Sequence, residues 1–374
     1  MRLLTLKLTQ FKNYTSQGLQ LAPRINCFVG KNGMGKTNLL DAIYYLCMCK
    51  SQQSLSDAHL TLHGEAFFRL EGHFYKNQKR YRIVAKVQAR KRKVIECNDV
   101  AYPKLIDHIG LLPVVMIVPD DTRLATEGSE DRRRFLNNTL SQLDPRYLRD
   151  LVQYNRLLKQ RNAALKQMGA ERRFDAALLA TYDEQLLAPA TYLHQQRAAF
   201  QTQLVPALQA HYAAISGGQE QVSCTYRSAL SESNLADLLV AAREKDRILQ
   251  RTTVGIHRDD LLFQIGEYPL KKYASQGQLK SFVLALKLAQ YAILRGEKKE
   301  SPLLLLDDIF DKLDPSRVRQ LIELLIEQEF GQVFITDTDE HRLASILNQF
   351  TVDYRKFRVA QGQIIDAAPD EKAQ

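Results

Sequence analysis

The sequence has no apolar stretch long enough to cross a bilayer. Its longest apolar runs, 42–49 and 111–118 (the second broken by Pro113), are eight residues each, and a spanning helix needs about 20 residues. It has no targeting segment either. Leu3, Leu4, Leu6 and Leu8 are interleaved with polar residues, which reads as a strand and not as the apolar core of a signal peptide. A cytoplasmic protein with no membrane contact is therefore expected. Cysteine is scarce and unpatterned: the five, Cys27, Cys47, Cys49, Cys97 and Cys224, are odd in number and none is spaced as a zinc pair. That argues for reduced, mostly buried thiols and against a disulfide framework. Internal repeats are absent, and only the residues from about Asp366 read as a loose polar tail.

What is present is ordinary globular composition. Hydrophobic residues make up 45% and charged residues 25%, too apolar for a disordered chain. The 374 residues suit roughly two or three domains of about 100–200 residues each. Lys and Arg number 52 against 42 Asp and Glu, a net charge of +10, which suits a polyanionic partner without proving one.

Three patterns follow one another along the chain. Up to about residue 130 strand signals dominate, at 1–11, Ile25–Val29, 67–75, 80–87, Val94–Cys97 and 113–118, with a helical stretch at 37–49. From 131 to about 215 the apolar period becomes helical. Leu148, Leu151, Tyr154 or Asn155, Leu158 and Leu165 mark one stripe. Leu178, Tyr182, Leu186, Leu193, Phe200, Leu204, Leu208, Tyr212 and Ile215 mark a second. Two long helices in an antiparallel hairpin are expected, the second kinked or interrupted by Pro189 and Pro206. After about 252 strands and helices alternate, at 261–265, 276–295, Leu303–Leu306, 317–329 and 333–335, which predicts a largely parallel sheet. The expected class is α/β, a head in two parts, 1–130 and 252–374, with a helical insertion at 131–251.

The strongest chemical signal is Gly30-Lys31-Asn32-Gly33-Met34-Gly35-Lys36-Thr37. It fits the phosphate-loop pattern and stands where that loop must, after a strand and before a helix. Glycines let backbone N–H groups turn in around phosphates, and the helix N-terminus adds a favourable dipole. Lys36 is expected to reach the β- and γ-phosphates, and the Thr37 hydroxyl to hold Mg²⁺. The second signal is the apolar run Leu303–Leu306 leading into Asp307 and Asp308. It delivers acid to the C-terminal edge of a parallel sheet, where ligands bind. Asp307 is the natural Mg²⁺ partner of Thr37, and Asp308 is placed to orient or deprotonate the attacking water. The third signal is Ser275-Gln276-Gly277-Gln278, just ahead of a helix. Ser275 suits an N-cap and Gly277 permits close approach to the first-turn amides. Alone this is a capped helix; its place ahead of the acidic strand is the order of ABC-type ATPases.

Ser275-Gln276-Gly277-Gln278 resembles the ABC signature, the strand with Asp307 and Asp308 resembles Walker B, and Asp311-Lys312-Leu313-Asp314 resembles the D-loop. Gln10-Phe11-Lys12-Asn13-Tyr14 stands at the start, and Gly255-Ile256-His257-Arg258-Asp259-Asp260-Leu261 ahead of the signature. Val118-Pro119-Asp120-Asp121 is followed by Arg132-Arg133-Arg134-Phe135-Leu136. With these, residues 1 to about 363 resemble the bacterial RecF family, recombination-repair ATPases.

The resemblance implies an ABC-type, SMC/Rad50-like P-loop ATPase head, split in sequence, with a helical arm inserted. It implies ATP bound by Gly30 to Thr37, Asn38 supporting that loop, and Lys12 and Asn13 approaching the base or phosphates. Mg²⁺ would be held by Thr37 and Asp307, with Asp308 as the catalytic carboxylate. Ser275 and Gly277 would act in trans in an ATP-dependent homodimer, and Gln278 and Asp314 belong to the same nucleotide site. The implied activity is slow, DNA-stimulated ATP hydrolysis. The implied partners are double-stranded or gapped DNA, RecR with RecO, and indirectly RecA. The sequence departs from the pattern of the wider class at three points: Asp308 where Glu is common, Thr336-Asp337-Thr338 where a switch histidine is usual, and Lys280 where the signature helix often has Arg.

Residues 76–93 carry nine basic side chains and no acidic one: Lys76, Lys79, Arg80, Arg82, Lys86, Arg90, Lys91, Arg92 and Lys93. On hairpin strands Lys76, Arg80, Arg82 and Lys86 lean to one face, the sequence-independent positive surface that backbone phosphates need. They are the candidate DNA contacts. Arg132 to Arg134, Arg156, Lys159, Arg161, Lys166, Arg172 and Arg173 either flank DNA or solvate a two-helix arm. Nothing resembles a base-reading motif. Two rivals are a transporter-type ATP-binding subunit and an ATP-dependent nuclease of the overcoming-lysogenisation type. The basic hairpin and helical insertion count against the first, and the lack of a second acidic cluster against the other.

Overall fold

A computed structural model describes residues 1–53, 56–218, 220–312, 315–328, 330–350 and 352–368. The chain begins with β1 (Arg2–Phe11), β2 (Tyr14–Gln20), β3 (Ile25–Val29) and α1 (Lys36–Met48). Then come β4 (Phe67–Lys76), β5 (Lys79–Gln88), β6 (Val94–Cys97), β7 (Val100–Ala101) and β8 (Val114–Ile117). The helical stretch holds α2 (Arg123–Thr126), α3 (Ser129–Leu143), α4 (Pro145–Glu171) and α5 (Ala176–Ser216). It is followed by β9 (Val222–Arg227), α6 (Leu235–Leu249), β10 (Asp260–Ile265), β11 (Tyr268–Pro269), α7 (Leu270–Tyr273) and α8 (Gln276–Lys298). The last elements are β12 (Leu303–Leu306), α9 (Pro315–Glu327), β13 (Val333–Asp337), α10 (Glu340–Leu347), β14 (Tyr354–Ala360) and β15 (Gln363–Ala368). By compactness the chain falls into two units, Met1–Asp121 with Gln290–Gln374, and Thr122–Ala289.

The first unit holds two six-stranded sheets. One is antiparallel, in the order β2-β1-β4-β5-β6-β7. The other runs β15-β14-β3-β13-β12-β8, parallel from β14 to β8 with β15 antiparallel at its edge. β3, β12 and β13 are buried at every position, as parallel strands covered on both faces must be. α1 is buried along nearly its whole length, which marks a helix between layers. Its Leu40, Ile43 and Leu46 share one core with Leu3, Leu8 and Phe68 of the antiparallel sheet and with Phe28, Leu305 and Phe334 of the parallel one.

In the second unit α4 and α5 pack along each other across the short connection 172–175. α5 runs unbroken through Pro189 and Pro206, against the expected interruption. Each proline removes one helical bond at a cost of about 3 kcal/mol. Burying Leu186, Leu193, Phe200, Leu204 and Leu208, at about 1.5–3 kcal/mol apiece, outweighs it. The stripe on α4 keeps Tyr154 and Leu165 buried as expected but is otherwise displaced. Tyr147, Tyr154, Leu157 and Arg161 are buried, whereas Leu148, Leu151 and Leu158 are half-buried. An arginine can take a core position because Asp183 and Asp246 neutralise it, at 2.6 and 2.7 Å.

β10 is not part of the parallel sheet. It pairs antiparallel with β9 and β11 in a separate three-stranded sheet, which is why residues 252–289 cluster with the helical stretch. β15 carries strand pairing, with one register shift, to Ala368, into the segment expected to be a loose tail. Cys27, Cys47, Cys49 and Cys224 are buried free thiols. Among the described residues no helix is long and apolar enough to cross a membrane.

Candidate active site

The phosphate loop joins β3 to α1 in the first unit. Gly35 caps α1 with φ 114°, and a Cβ there would lie within 2.7–2.9 Å of the Asn13 side chain and the Tyr14 hydroxyl; only glycine fits. Lys31, Asn32 and Gly33 are exposed at the tip of the loop. Lys36 is 3% exposed. Its Nζ donates to Gly30 O at 2.8 Å and Lys31 O at 3.3 Å, and lies 3.8 Å from Asp308 Oδ2. The outer carbonyls of the loop are tied down from three directions. Asn13 Nδ2 and Gly362 N both donate to Met34 O, at 3.1 and 3.0 Å, and the Tyr14 hydroxyl donates to Gly35 O at 3.1 Å. Asn38 Nδ2 donates to Asn13 Oδ1 at 2.7 Å, so it steadies the loop through Asn13. Lys12 instead reaches Asp41 on α1, at 2.8 Å. The braces Tyr14 and Gly362 escaped sequence reasoning, although Tyr14 stands inside a motif already singled out.

Asp307 and Asp308 follow β12, whose parallel pairing with β13 and β8 brings them to the loop. Thr37 Oγ1 donates to Asp307 Oδ1 at 2.9 Å. Burial pushes the Asp307 carboxyl up to about 6, against the hydroxyl bonds from Thr336 and Thr37 that favour the ionised form. A hydroxyl and a buried carboxylate, both hard oxygen donors, suit Mg²⁺, and a divalent cation would relieve the cost of that buried charge. Thr37 and Asp307 therefore fit the ion. Asp308 is half-buried with a left-handed backbone, φ 42°, and its N–H donates to Thr336 Oγ1 at 2.8 Å. Asp337 is buried and held by Arg342 Nε at 3.0 Å and by the N–H of Asp339 at 3.0 Å.

In the second unit Ser275 and Gln278 form a reciprocal capping box at the start of α8. Ser275 N donates to Gln278 Oε1 at 2.6 Å, and Gln278 N to Ser275 Oγ at 3.2 Å. Gln278 Nε2 also donates to Glu220, which accepts the Tyr212 hydroxyl at 2.6 Å. Ser275 is exposed and Gly277 half-buried. Asp314 lies outside the described residues. The segment 255–261 is scaffold: Asp259 pairs with buried Arg197 at 2.7 Å, Asp260 with Arg132 at 2.6 Å, and His257 with the Tyr154 hydroxyl at 2.8 Å. Arg161 and Arg132, counted by sequence among surface charges, are thus internal ion-pair partners.

The nine basic residues of 76–93 divide into two groups. Arg82 pairs with Glu71 at 2.7 Å and with Asp99, Lys86 with Glu96 at 2.6 Å, and Lys93 with Asp57 at 3.0 Å. Lys76 donates to Leu111 O at 2.6 Å and Arg92 to Pro103 O at 2.9 Å. The hydrogen bond from Arg82 holds the Glu71 carboxyl down at about 2. Lys79, Arg80, Arg90 and Lys91 are exposed, with no ion pair among the described residues. The first two stand at one end of β5 and the other two beyond its far end.

A phosphate loop beside a strand-borne pair of aspartates in a parallel sheet defines a P-loop ATPase, and the capping signature ahead of that strand places it in the ABC class. Residues 2–359 match the RecF/RecN/SMC N terminal domain family. The chain belongs to the RecF family. It is 43% identical over 359 residues to the DNA replication and repair protein RecF of Flavobacterium johnsoniae, across 96% of this chain and 100% of that protein. To the protein of the same name from Parabacteroides distasonis it is 42% identical over 359 residues, 96% and 97% of the two chains. Among solved structures it is similar to the recombination mediator protein RecF with ATP, of the RecFOR pathway, with TM-score 0.88, 29% identity, and 98% and 97% of the chains covered. The Smc head domain from Pyrococcus furiosus shares the fold, with TM-score 0.58, 15% identity, and 99% and 97% covered.

Proposed function

We propose that the chain is an ATP-binding DNA replication and repair protein of the RecFOR pathway, in which two copies close on ATP to grip duplex or gapped DNA and reopen on hydrolysis. The observation that carries this reading is the convergence of Lys36, Thr37, Asp307 and Asp308 at one end of the parallel sheet. Lys36 can exchange its bonds to the carbonyls of Gly30 and Lys31 for phosphate oxygens. The exchange replaces neutral carbonyl acceptors with anionic phosphate oxygens, so both partners of each bond are then charged. Asp308 orients the attacking water and takes its proton; its arm is shorter than that of Glu, which suits slow turnover. Bound by Thr37 and Asp307, Mg²⁺ would offset charge on the phosphate oxygens. In the closed dimer the Ser275 hydroxyl, which accepts from Gln278 N and keeps its own proton to donate, and the N-terminal turn of α8 at Gly277 meet a phosphate of the opposite subunit. Family membership supports RecR with RecO as protein partners, RecA as the indirect beneficiary, and a cytoplasmic location.

The test is Asp308→Asn, with mass recorded by light scattering and duplex DNA present. ATP with this variant is expected to give a stable dimer that retains DNA without cutting it, and turnover at least about a hundredfold slower than that of the parent. DNA retention indifferent to nucleotide, with no dimer, would refute the clamp.

The DNA surface is assigned to the unpaired cations. Reversing Lys79, Arg80, Arg90 and Lys91 together to Glu is expected to weaken duplex binding more than about tenfold and to flatten its salt dependence, since each phosphate contact contributes about 0.9 to the logarithmic slope. Arg82→Ala with Lys86→Ala, whose charges are spent on Glu71, Asp99 and Glu96, is expected to change affinity less than about threefold. Equal losses in the two variants would mean that pairing does not decide which cations meet DNA.

A further inference from the structure

Thr336 sits near the end of β13, the strand hydrogen-bonded between β3 and β12. It is fully buried, where a hydroxyl is costly unless it is bonded. Its Oγ1 accepts the Asp308 N–H at 2.8 Å, and lies 2.9 Å from Asp307 Oδ1 and 3.3 Å from Asp308 Oδ1. A threonine hydroxyl carries one proton, so it goes to the nearer acceptor, Asp307 Oδ1, which also accepts the Thr37 hydroxyl. One side chain thus ties the backbone of one aspartate to the carboxylate of the other. The backbone it holds is in the left-handed region, which few residues with a Cβ adopt and which Asp tolerates better than most, so a bond to its N–H helps to fix it. The neighbouring Asp337 cannot share the task, since its carboxylate is engaged by Arg342.

We propose that Thr336 is a positioning residue of the hydrolytic site, fixing through one hydroxyl both the turn that aims Asp308 and the orientation of Asp307. It stands where ABC ATPases usually carry a switch histidine, but it acts on the carboxylates and not on ATP. The inference rests on the hydrolytic roles given above to Asp307 and Asp308.

The test compares Thr336→Val, Thr336→Ala and Thr336→Ser in the full chain, reading kcat, KM for ATP and Tm, with Asp308→Asn alongside. Losing a hydrogen bond to a charged group is expected to lower kcat about tenfold to a hundredfold in Thr336→Val, with KM within about threefold of the parent. Thr336→Ser, which keeps the hydroxyl, is expected to stay within about threefold of the parent. Thr336→Ala removes the same hydroxyl without a branched side chain and gives the answer if the valine variant does not fold. Unchanged kcat in a folded Val or Ala variant would overturn the proposal. So would a serine variant as slow as the valine one, or a loss carried by KM, which would mean contact with ATP itself. If Asp308→Asn keeps full turnover, the hydrolytic reading fails. If it is inactive while Thr336→Val stays active, only the positioning role fails.

Discussion

Lys36→Ala is expected to abolish ATP turnover, by at least about a hundredfold, while leaving the fold in place. The Lys36 ammonium donates to two carbonyls of the phosphate loop itself, Gly30 O and Lys31 O. Those carbonyls lie on the loop's own backbone, and water can replace the amine once the side chain is gone. The folded state therefore loses little. ATP loses two charge-assisted bonds, each worth about 1.5–3 kcal/mol, which together correspond to about two to four powers of ten. Arginine is no substitute, because a rigid planar fork replaces a point charge on a flexible stem. Equilibrium binding of ATP with Mg²⁺, alongside circular dichroism, checks both halves of the expectation. Turnover within tenfold of the parent would show that the loop is not where ATP reacts.

The largest effect on stability is expected in the second unit, from Arg197→Met. The Arg197 guanidinium is buried and donates to Asp259 Oδ2 and Ile256 O at 2.7 Å, and to Asn137 Oδ1 and the Tyr147 hydroxyl at 3.0 Å. Methionine fills much of the same space but leaves Asp259 buried without its counter-charge. Removing one partner of such a pair costs about 3–5 kcal/mol, which is about 10 °C in Tm for a unit of this size. Adding Asp259→Asn should recover much of the loss, because it removes the stranded charge. Calorimetry on the two variants reads this directly. A shift of less than about 3 °C for Arg197→Met would mean that water or a relaxed backbone satisfies Asp259.

The parts of the site that were legible in the sequence are those whose chemistry is contiguous. Gly30 to Thr37 is a local loop, and Asp307 with Asp308 ends a run apolar enough to be a central parallel strand. Their meeting across the sheet followed from the rule that ligands gather at one edge of parallel strands. Thr336 was not legible in that way. Its role arises because β13 lies beside β12, and no spacing within the chain announces that pairing. Arg161 and Arg197 were misplaced or missed because periodicity counts a charged residue as solvated, whereas here Asp183, Asp246 and Asp259 wait in the core. β10 read as one more parallel strand since its composition does not reveal its partner, β9. In the basic hairpin the charges were visible but their neutralisation was not, because Glu71 and Glu96 lie on adjacent strands.

The order of strands in the parallel sheet bears on how the chain comes off the ribosome. β3 ends at Val29, directly before the phosphate loop, yet its two neighbours are β13, from Val333, and β14, from Tyr354. The turn after β14 then supplies Gly362, whose N–H holds Met34 O. A nascent chain thus carries its phosphate-loop residues long before it has the strands and the bond that shape them. A chain stalled or clipped between Val29 and Val333 has the loop's sequence without either strand that flanks β3, and is expected not to hold ATP.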